Sequence, residues 1–186
     1  MGFQEGKKAF LKYKEKINYA YQYSNLYIHS DERLRLLVNK ICKNREGGYV
    51  YRKSLVESGE ILGKEILTQF IRPGRSTVAI VGIPRGGKPL ANGIKNEIPQ
   101  AELLFTNDGA FRDADKELLQ ENKLSENVEF VIVVDTVVDL GTTVQRTLRF
   151  LYDKYPAKTY ILVSLITAYD GAYKIEKMFP LVRHIT

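Results

Sequence analysis

The sequence predicts an α/β protein with a parallel sheet of about five strands, helices on both faces of that sheet, and a helical N-terminal segment. Five short runs rich in β-branched residues alternate little between polar and apolar side chains, as is typical of strands covered on both faces. Helical patterns separate these runs, which favours βαβ connections. The predicted strands are residues 77–83, 102–105, 128–134, 159–166 and 182–185. The predicted helices between and after them are residues 89–98, 113–121, 142–155 and 171–178.

The first 72 residues have helical rather than strand-like periodicity. Apolar spacing predicts one helix over residues 7–23, a second from the cap at Ser30-Asp31 to Gly47-Gly48, and a third over residues 49–71. A chain of 186 residues suits a single domain. We therefore expect residues 1–72 to form a hood or a dimer contact rather than an independent domain, and residues 73–186 to form the ligand-binding α/β core.

Composition narrows the class of protein. Cys42 is the only cysteine and there are two histidines, so neither an internal disulfide nor a zinc cluster is expected, and a reducing, cytoplasmic setting fits. The N-terminus carries lysines without an apolar signal segment, and no window has the length of a membrane span. The net charge of +6 attracts polyanions, which suits a phosphorylated small molecule as well as a nucleic acid.

The loop after the first predicted core strand reads PRGGKP. From Gly82 the segment GIPRGGK has the spacing of a nucleotide-binding P-loop, but Pro89 stands where the magnesium-binding Ser or Thr belongs. Gly86 and Gly87 let backbone amides approach an anion, and Arg85 adds a fork of donors. Pro89 suits the first residue of the next helix, whose N-terminus favours negative charge. The alternative is a tight turn with a solvated arginine.

The loop after the third predicted core strand reads DTVVDLGTT and follows the apolar run FVIVV. Gly141, Thr142 and Thr143 at a helix start would offer amides and hydroxyls to a phosphate. Asp135 and Asp139 suit ligand hydroxyls or Mg²⁺ instead, so the loop predicts a site for a phosphorylated ribose. An Asx turn at Asp139 followed by a threonine N-cap would also explain the threonines. It leaves Asp135 unexplained, because a carboxylate at the end of an apolar strand is costly unless paired.

Together these two loops resemble the type I phosphoribosyltransferases. VVDTVVDLGTT resembles the family's 5-phosphoribosyl 1-pyrophosphate (PRPP) signature, and GIPRGGKPLANGI resembles its pyrophosphate loop and following helix. Tyr51-Arg52, Leu55, Gly59 and Glu65 resemble the N-terminal helix of the uracil phosphoribosyltransferase branch, and DGAYKIEKMFPLVRHIT resembles its segment after the fourth core strand. The likeness spans residues 31–186.

This resemblance implies an enzyme that binds PRPP with Mg²⁺ and in which a nucleobase nitrogen displaces pyrophosphate. It implies that Gly141, Thr142 and Thr143 bind the 5-phosphate, that Asp135 binds the ribose hydroxyls and the metal, and that Arg85, Gly86 and Gly87 bind pyrophosphate. The implied catalytic residues are Asp139, Arg85 and Arg112. Arg112 lies in residues 106–117, where the family has a mobile loop, and Asp139 stands where 6-oxopurine enzymes contact the purine. Enzymes of this branch are commonly oligomers, which implies a homodimer or homotetramer.

Four positions depart from the family pattern. Leu140 replaces a threonine of the signature, which removes one hydroxyl from the phosphate site, and Thr136 stands where many members, though not the uracil branch, have a second acid. Asp139 stands where the uracil branch usually has a small residue, and the sequence ends at Thr186 before the segment with which uracil enzymes recognise their base. We therefore expect a base site that is built differently, or a base other than uracil. Three functions stay open: nucleobase salvage from PRPP, PRPP binding by a regulatory or catalytically degenerate relative, and nucleic-acid binding through the Lys- and Tyr-rich residues 7–27.

Overall fold

The computed structural model describes residues 25–44, 47–72, 76–107, 123–156 and 158–186, which form an α/β fold. The strands are β1, Leu26–Tyr27; β2, Val78–Gly82; β3, Glu102–Phe105; β4, Phe130–Val134; β5, Val137–Val138; β6, Thr159–Val163; β7, Ile166–Thr167; and β8, Arg183–Ile185. The helices are α1, Glu32–Lys43; α2, Tyr49–Gln69; α3, Gly87–Glu97; α4, Thr142–Lys154; and α5, Tyr169–Met178.

Six of the strands form one parallel sheet in the order β1-β8-β6-β4-β2-β3. In its centre Gly82 is level with Val134, and Val134 is level with Val163, so β2, β4 and β6 end together. The loops that follow these strands therefore start at one edge. In open parallel sheets this carboxyl edge is where ligands bind.

Both faces of the sheet are covered by helices, as the sequence predicts. Alternate residues of the central strands point to opposite faces, and both sets are buried, which explains why the runs lack polar alternation. On one face Ile80, Ile132 and Ile161 pack with Leu34, Leu55, Leu62, Leu90 and Ile94 of α1, α2 and α3. On the other face Val81, Val133 and Leu162 pack with Val144, Leu148 and Ile175 of α4 and α5.

Helix α2 fixes the position of α3. The two helices approach closely at glycines: a Cβ on Gly59 would overlap the carbonyl oxygen of Leu90, and one on Gly93 would overlap that of Val56. Such an approach leaves no room for larger residues and holds the helices in one relative position. Since the first turn of α3 lies at the carboxyl edge of the sheet, the packing of α2 against α3 also supports the loop before α3.

The structure confirms most predicted elements and corrects some of their bounds. The cap at Asp31 accepts a hydrogen bond from the Leu34 N–H at 2.8 Å, and strand 102–105 has the predicted bounds. The predicted strand 159–166 is wrong beyond Val163, because the chain bends at Leu165 and β7 begins at Ile166. The prediction that the next helix begins at Pro89 is also wrong, because α3 begins two residues earlier, at Gly87. Strands β1 and β5 are not predicted from the sequence, because each has only two residues and therefore shows no periodicity.

Some predictions fall outside the described residues or stay untested. Helices 7–23 and 113–121 lie outside them, as does all but the last part of the segment 7–27. The division into residues 1–72 and 73–186 stays a prediction. Within the described ranges, no helix has the length and apolarity needed to cross a bilayer.

Candidate ligand-binding site

The two loops singled out in the sequence touch each other in the structure. We call residues 83–86 the β2–α3 loop and residues 135–141 the β4–α4 loop. A Cβ on Gly86 would collide with the Thr136 hydroxyl, and one on Gly87 would lie 2.6 Å from the Val134 carbonyl oxygen. The Ile83 N–H also donates to the Val134 carbonyl at 2.8 Å. Two segments 50 residues apart in the sequence thus form one surface.

The β2–α3 loop concentrates positive charge at a helix N-terminus. Arg85 is exposed and has a φ of 73°, a left-handed conformation that costs a non-glycine residue about 1–2 kcal/mol. Lys88, in the first turn of α3, has its Nζ 5.1 Å from the centre of the Phe105 ring, and that turn contains no acidic residue. The helix macrodipole is already positive there, so the two cations are unfavourable without an anion between them. Lys88 was not among the site residues predicted from the sequence, although it directly follows the two glycines of the segment GGK.

The β4–α4 loop ends in a helix start that no side chain caps. Gly141 is the N-cap residue with a φ of 70°, and the first turn of α4 contains no acidic residue. The alternative of a threonine N-cap is therefore wrong. The first amides of a helix have no partner within it, and the hydroxyl of exposed Thr142 and that of half-buried Thr143 lie beside them. This arrangement can bind an anion.

Asp135 is a largely buried carboxylate directly after β4. Its Oδ1 accepts a hydrogen bond from the Thr136 N–H at 2.7 Å, and its own N–H donates to the Val163 carbonyl at 3.0 Å. Burial raises the pKa of Asp135 to about 6, against the opposing effect of backbone amides of Thr136 and Val137. No ion pair neutralises it among the described residues. A cation or hydroxyl donor on a ligand would therefore be stabilised here.

Asp135 fits Mg²⁺ only as one ligand among several. Among the described residues, no three His, Cys, Asp or Glu side chains are grouped to hold a metal ion. Mg²⁺ commonly takes one or two carboxylates and completes its shell with phosphate oxygens and water. The donor set therefore suits a magnesium ion that binds together with a phosphorylated ligand, and does not suit one held by protein side chains alone.

An exposed apolar surface borders the carboxylates. Strands β5 and β7 pair in parallel with Val137 opposite Ile166. The exposed fractions are 49% for Val137, 37% for Ile166 and 50% for Leu140. Apolar side chains exposed next to polar loops are typical of small-molecule sites. This surface was not predicted from the sequence. Strands β5 and β7 are two residues long and are recognised only by their pairing with each other, which no periodicity in the sequence indicates.

Helix α5 supports the β4–α4 loop from the opposite side. A Cβ on Gly171 would overlap the Asp139 carbonyl oxygen and lie 3.0 Å from Val138 Cγ1. A Cβ on Gly141 would lie 3.3 Å from Ile175 Cδ1, again on α5. The loop therefore cannot move toward α5. The sequence signal for this contact was a glycine inside a helix, where glycine is otherwise unfavourable.

The structure thus gathers most of the predicted site residues at one edge of the sheet. On the β2–α3 side these are Arg85, Gly86 and Gly87; on the β4–α4 side they are Asp135, Asp139, Gly141, Thr142 and Thr143. Asp139 is exposed there. Arg112 lies outside the described residues, so its participation stays a prediction, as do the individual roles of the others.

The fold and these loops define a class of protein: an α/β protein in which two loops at the carboxyl edge of a parallel sheet each lead into a helix N-terminus. Residues 54–184 match the family model for the phosphoribosyl transferase domain, and the chain belongs to this family, in its type I branch. The uracil phosphoribosyltransferase of Sulfurisphaera tokodaii is a distant relative, 26% identical over 165 residues, covering 73% of this chain and 76% of that protein.

Solved structures share the fold. The AQ2163 protein from Aquifex aeolicus superposes with a TM-score of 0.71 at 20% identity, covering 86% of this chain and 85% of that one. The adenine phosphoribosyltransferase from Trypanosoma brucei, solved with AMP, pyrophosphate and ribose 5-phosphate, superposes with a TM-score of 0.58 at 13% identity over 87% of this chain and 82% of that one. At these identities the likeness shows the fold alone.

Proposed function

We propose that this protein transfers ribose 5-phosphate from PRPP to a ring nitrogen of a nucleobase, uracil-type or purine, and releases pyrophosphate. The observation that carries the proposal is the contact between the two loops. One loop brings cations to a helix N-terminus, and the other brings an uncapped helix start together with a carboxylate that lacks a cationic partner. PRPP carries one group for each of these features. Its pyrophosphate suits the cations, its 5-phosphate suits the helix start, and its ribose hydroxyls suit the carboxylate.

In this proposal each part of PRPP has its own residues. The amides and hydroxyls at Gly141, Thr142 and Thr143 bind the 5-phosphate. Asp135 accepts hydrogen bonds from the ribose hydroxyls. Arg85 and Lys88, with the amides at Gly86 and Gly87, bind the pyrophosphate. Mg²⁺, held by Asp135 and substrate oxygens, would supply further neutralisation of the phosphate charge.

The residues of this chain contribute positioning and charge. The base nitrogen attacks the anomeric carbon as the bond from that carbon to pyrophosphate breaks, so positive charge develops on the ribose and negative charge on the leaving group. Arg85 and Lys88 stabilise the departing pyrophosphate. Asp139, exposed beside Val137, accepts a hydrogen bond or a proton from the base.

The base would lie on the apolar surface of Val137, Leu140 and Ile166, which is open to a planar ring. We also propose that Arg112 assists from residues 106–117, that the protein acts in the cytoplasm, and that it forms a homodimer or homotetramer. These proposals rest on the sequence and on the family, and each can be tested separately.

Leu140 supports a second candidate, a relative that binds PRPP without turning it over. Its half-exposed side chain adds no hydrogen bond at a position where the signature usually has a threonine hydroxyl. The loss of one hydrogen bond to a charged group costs about 1.5–3 kcal/mol, or roughly a tenfold to hundredfold loss of affinity. Such a protein would bind PRPP and release no pyrophosphate.

The deciding experiment is a pyrophosphate-release assay with PRPP, Mg²⁺ and, in turn, uracil, hypoxanthine, guanine, xanthine and adenine. We expect release with at least one base, and a loss of release in Asp139→Asn. Asp153→Asn is the matched control, because Asp153 is exposed near the other end of α4, about 15 Å from its first turn. PRPP binding without release for any base would favour the second candidate, and absence of PRPP binding would exclude both.

A further inference from the structure

Thr136 has a buried hydroxyl without a hydrogen-bond partner. Its side chain is 5% exposed, and no described residue pairs with its Oγ1. The backbone of Thr136 is fully used: its N–H donates to Asp135 Oδ1 at 2.7 Å, and its carbonyl accepts from the Leu165 and Ile166 N–H groups at 3.1 and 3.2 Å. The residue is therefore held firmly, while its polar group is unsatisfied. Buried hydroxyls are normally paired, so this one calls for an explanation.

The hydroxyl faces the β2–α3 loop. Its oxygen would overlap a Cβ placed on Gly86, so Gly86 is the residue that covers it. Next to Gly86, Arg85 is held at a φ of 73°, which is strained for a residue other than glycine. An unpaired hydroxyl and a strained backbone therefore meet at the N-terminus of α3. Two independent costs in one place indicate a site that is satisfied by a ligand.

We propose that Thr136 is a positioning residue for the pyrophosphate part of the site. When an anion binds at the N-terminus of α3, the Thr136 hydroxyl donates a hydrogen bond to the carbonyl oxygen of the peptide that joins Arg85 to Gly86. In a trans peptide the C=O and N–H groups point in opposite directions, so this bond aims the Gly86 N–H at the anion. The inference rests on the function proposed above and deepens it, because it assigns a residue of the β4–α4 loop to the ligand of the other loop.

Thr136→Val tests this directly, since valine has nearly the shape of threonine and lacks only the hydroxyl. The probes are inorganic pyrophosphate with Mg²⁺ and, separately, ribose 5-phosphate, each titrated calorimetrically. We expect the dissociation constant for pyrophosphate to rise about tenfold, as for the loss of one hydrogen bond, while that for ribose 5-phosphate stays unchanged. The thermal midpoint should stay equal or rise, because an unpaired buried hydroxyl has been removed.

Two further variants separate positioning from general damage. Thr136→Ser keeps the hydroxyl and should restore pyrophosphate binding to within about twofold of the original protein, within the context dependence of one hydrogen bond. Thr159 lies at the exposed start of β6, on the opposite edge of the sheet. Thr159→Val should therefore leave the dissociation constants of both ligands unchanged. If Thr136→Val does not fold, Thr136→Ala removes the same hydroxyl with no added bulk against Gly86 and is judged by the same two ligands.

Each outcome decides the question. Equal pyrophosphate affinity in Thr136→Val and the original protein would overturn the role of Thr136 and leave the proposed function standing. Equal weakening for both ligands, with a lower thermal midpoint, would mean a merely structural role and would also overturn it. If the original protein binds neither pyrophosphate nor ribose 5-phosphate, both the inference and the proposed function fail.

Discussion

The β2–α3 loop and the β4–α4 loop leave adjacent strands at the same edge, and each leads into a helix without an acid in its first turn. Both contain one residue in the left-handed region, but the residues differ: Gly141 has a φ of 70° and Arg85 a φ of 73°. Glycine adopts this conformation at little steric cost, whereas arginine is strained there. Strain of this kind is typical of functional positions, so we expect the arginine to have a role in ligand binding.

The two loops also differ in charge. Around the first loop lie the cations Arg85 and Lys88, and around the second lie the carboxylates Asp135 and Asp139. One site for phosphate alone would need only the first set. A pair of loops in contact, one cationic and one carboxylate-bearing, suits a ligand with a polyanionic end and a hydroxyl-bearing centre. The contrast can be tested by changing one loop at a time.

Arg85 should give the largest effect. Arg85→Gly removes both the guanidinium and the backbone strain. Because one partner of a close charge pair is lost, we expect kcat/KM to fall about a hundredfold or more. Because the strain is relieved, we expect the free energy of unfolding to rise by about 1 kcal/mol. Steady-state kinetics and urea unfolding measure the two effects. Arg85→Gln should lose the same activity without the gain in stability.

Arg33→Gln is the control for Arg85, because Arg33 is exposed on α1 and belongs to neither of the two loops. Its kinetics and stability should match those of the original protein. A gain in stability in Arg85→Gly with unchanged kcat/KM would mean that the arginine does not contact the leaving group.

Gly171→Ala should affect the second loop alone. The new Cβ would overlap the Asp139 carbonyl, and overpacking of this kind typically costs about 1–3 kcal/mol. We expect ribose 5-phosphate to bind several-fold to tens of fold more weakly, while pyrophosphate binds as before. Calorimetry with the two ligands measures this, and Lys174→Ala on the exposed face of α5 is the control. Equal weakening of both ligands would show that the loops do not act separately.

Leu140→Thr should give the smallest effect and in the opposite direction. It adds a hydroxyl beside the helix start at Gly141, so we expect PRPP to bind about two- to tenfold more tightly, in line with the net contribution of one hydrogen bond. Leu140→Val, which adds no hydroxyl, is the matched control. If threonine and valine have the same effect on PRPP affinity, the phosphate does not lie at this end of the loop.

The sequence predicted the parts of this site that are encoded locally. The run FVIVV and the residues after it predicted β4 and its loop, and PRGGKP predicted α3, although its start was placed at Pro89, two residues after the observed start at Gly87. Features that depend on distant residues could not be predicted in this way. Val137 is a strand residue only because Ile166 pairs with it, and Gly171 matters only because Asp139 lies against it. The unpaired hydroxyl of Thr136 likewise becomes visible only once Gly86 covers it.

The most direct test of the central claim, that Asp135 and the two loops together hold PRPP, is the affinity for PRPP with Mg²⁺ across pH in the original protein and in Asp135→Asn. Burial raises the pKa of Asp135 to about 6, so the proton is bound below that pH and must be released before a cation or ribose hydroxyls can be held. Affinity that depends on Asp135 should be full above pH 7 and fall about tenfold per unit below pH 6.

Asp135→Asn should bind PRPP more weakly at pH 7.5, and its affinity should not show the further fall below pH 6 that protonation of Asp135 causes. Any pH dependence that remains in this variant comes from the phosphates of PRPP itself. Asp153→Asn, the exposed control on α4, should follow the original protein. A calorimetric titration that gives equal PRPP affinity and equal pH dependence in the original protein and in Asp135→Asn would contradict the account.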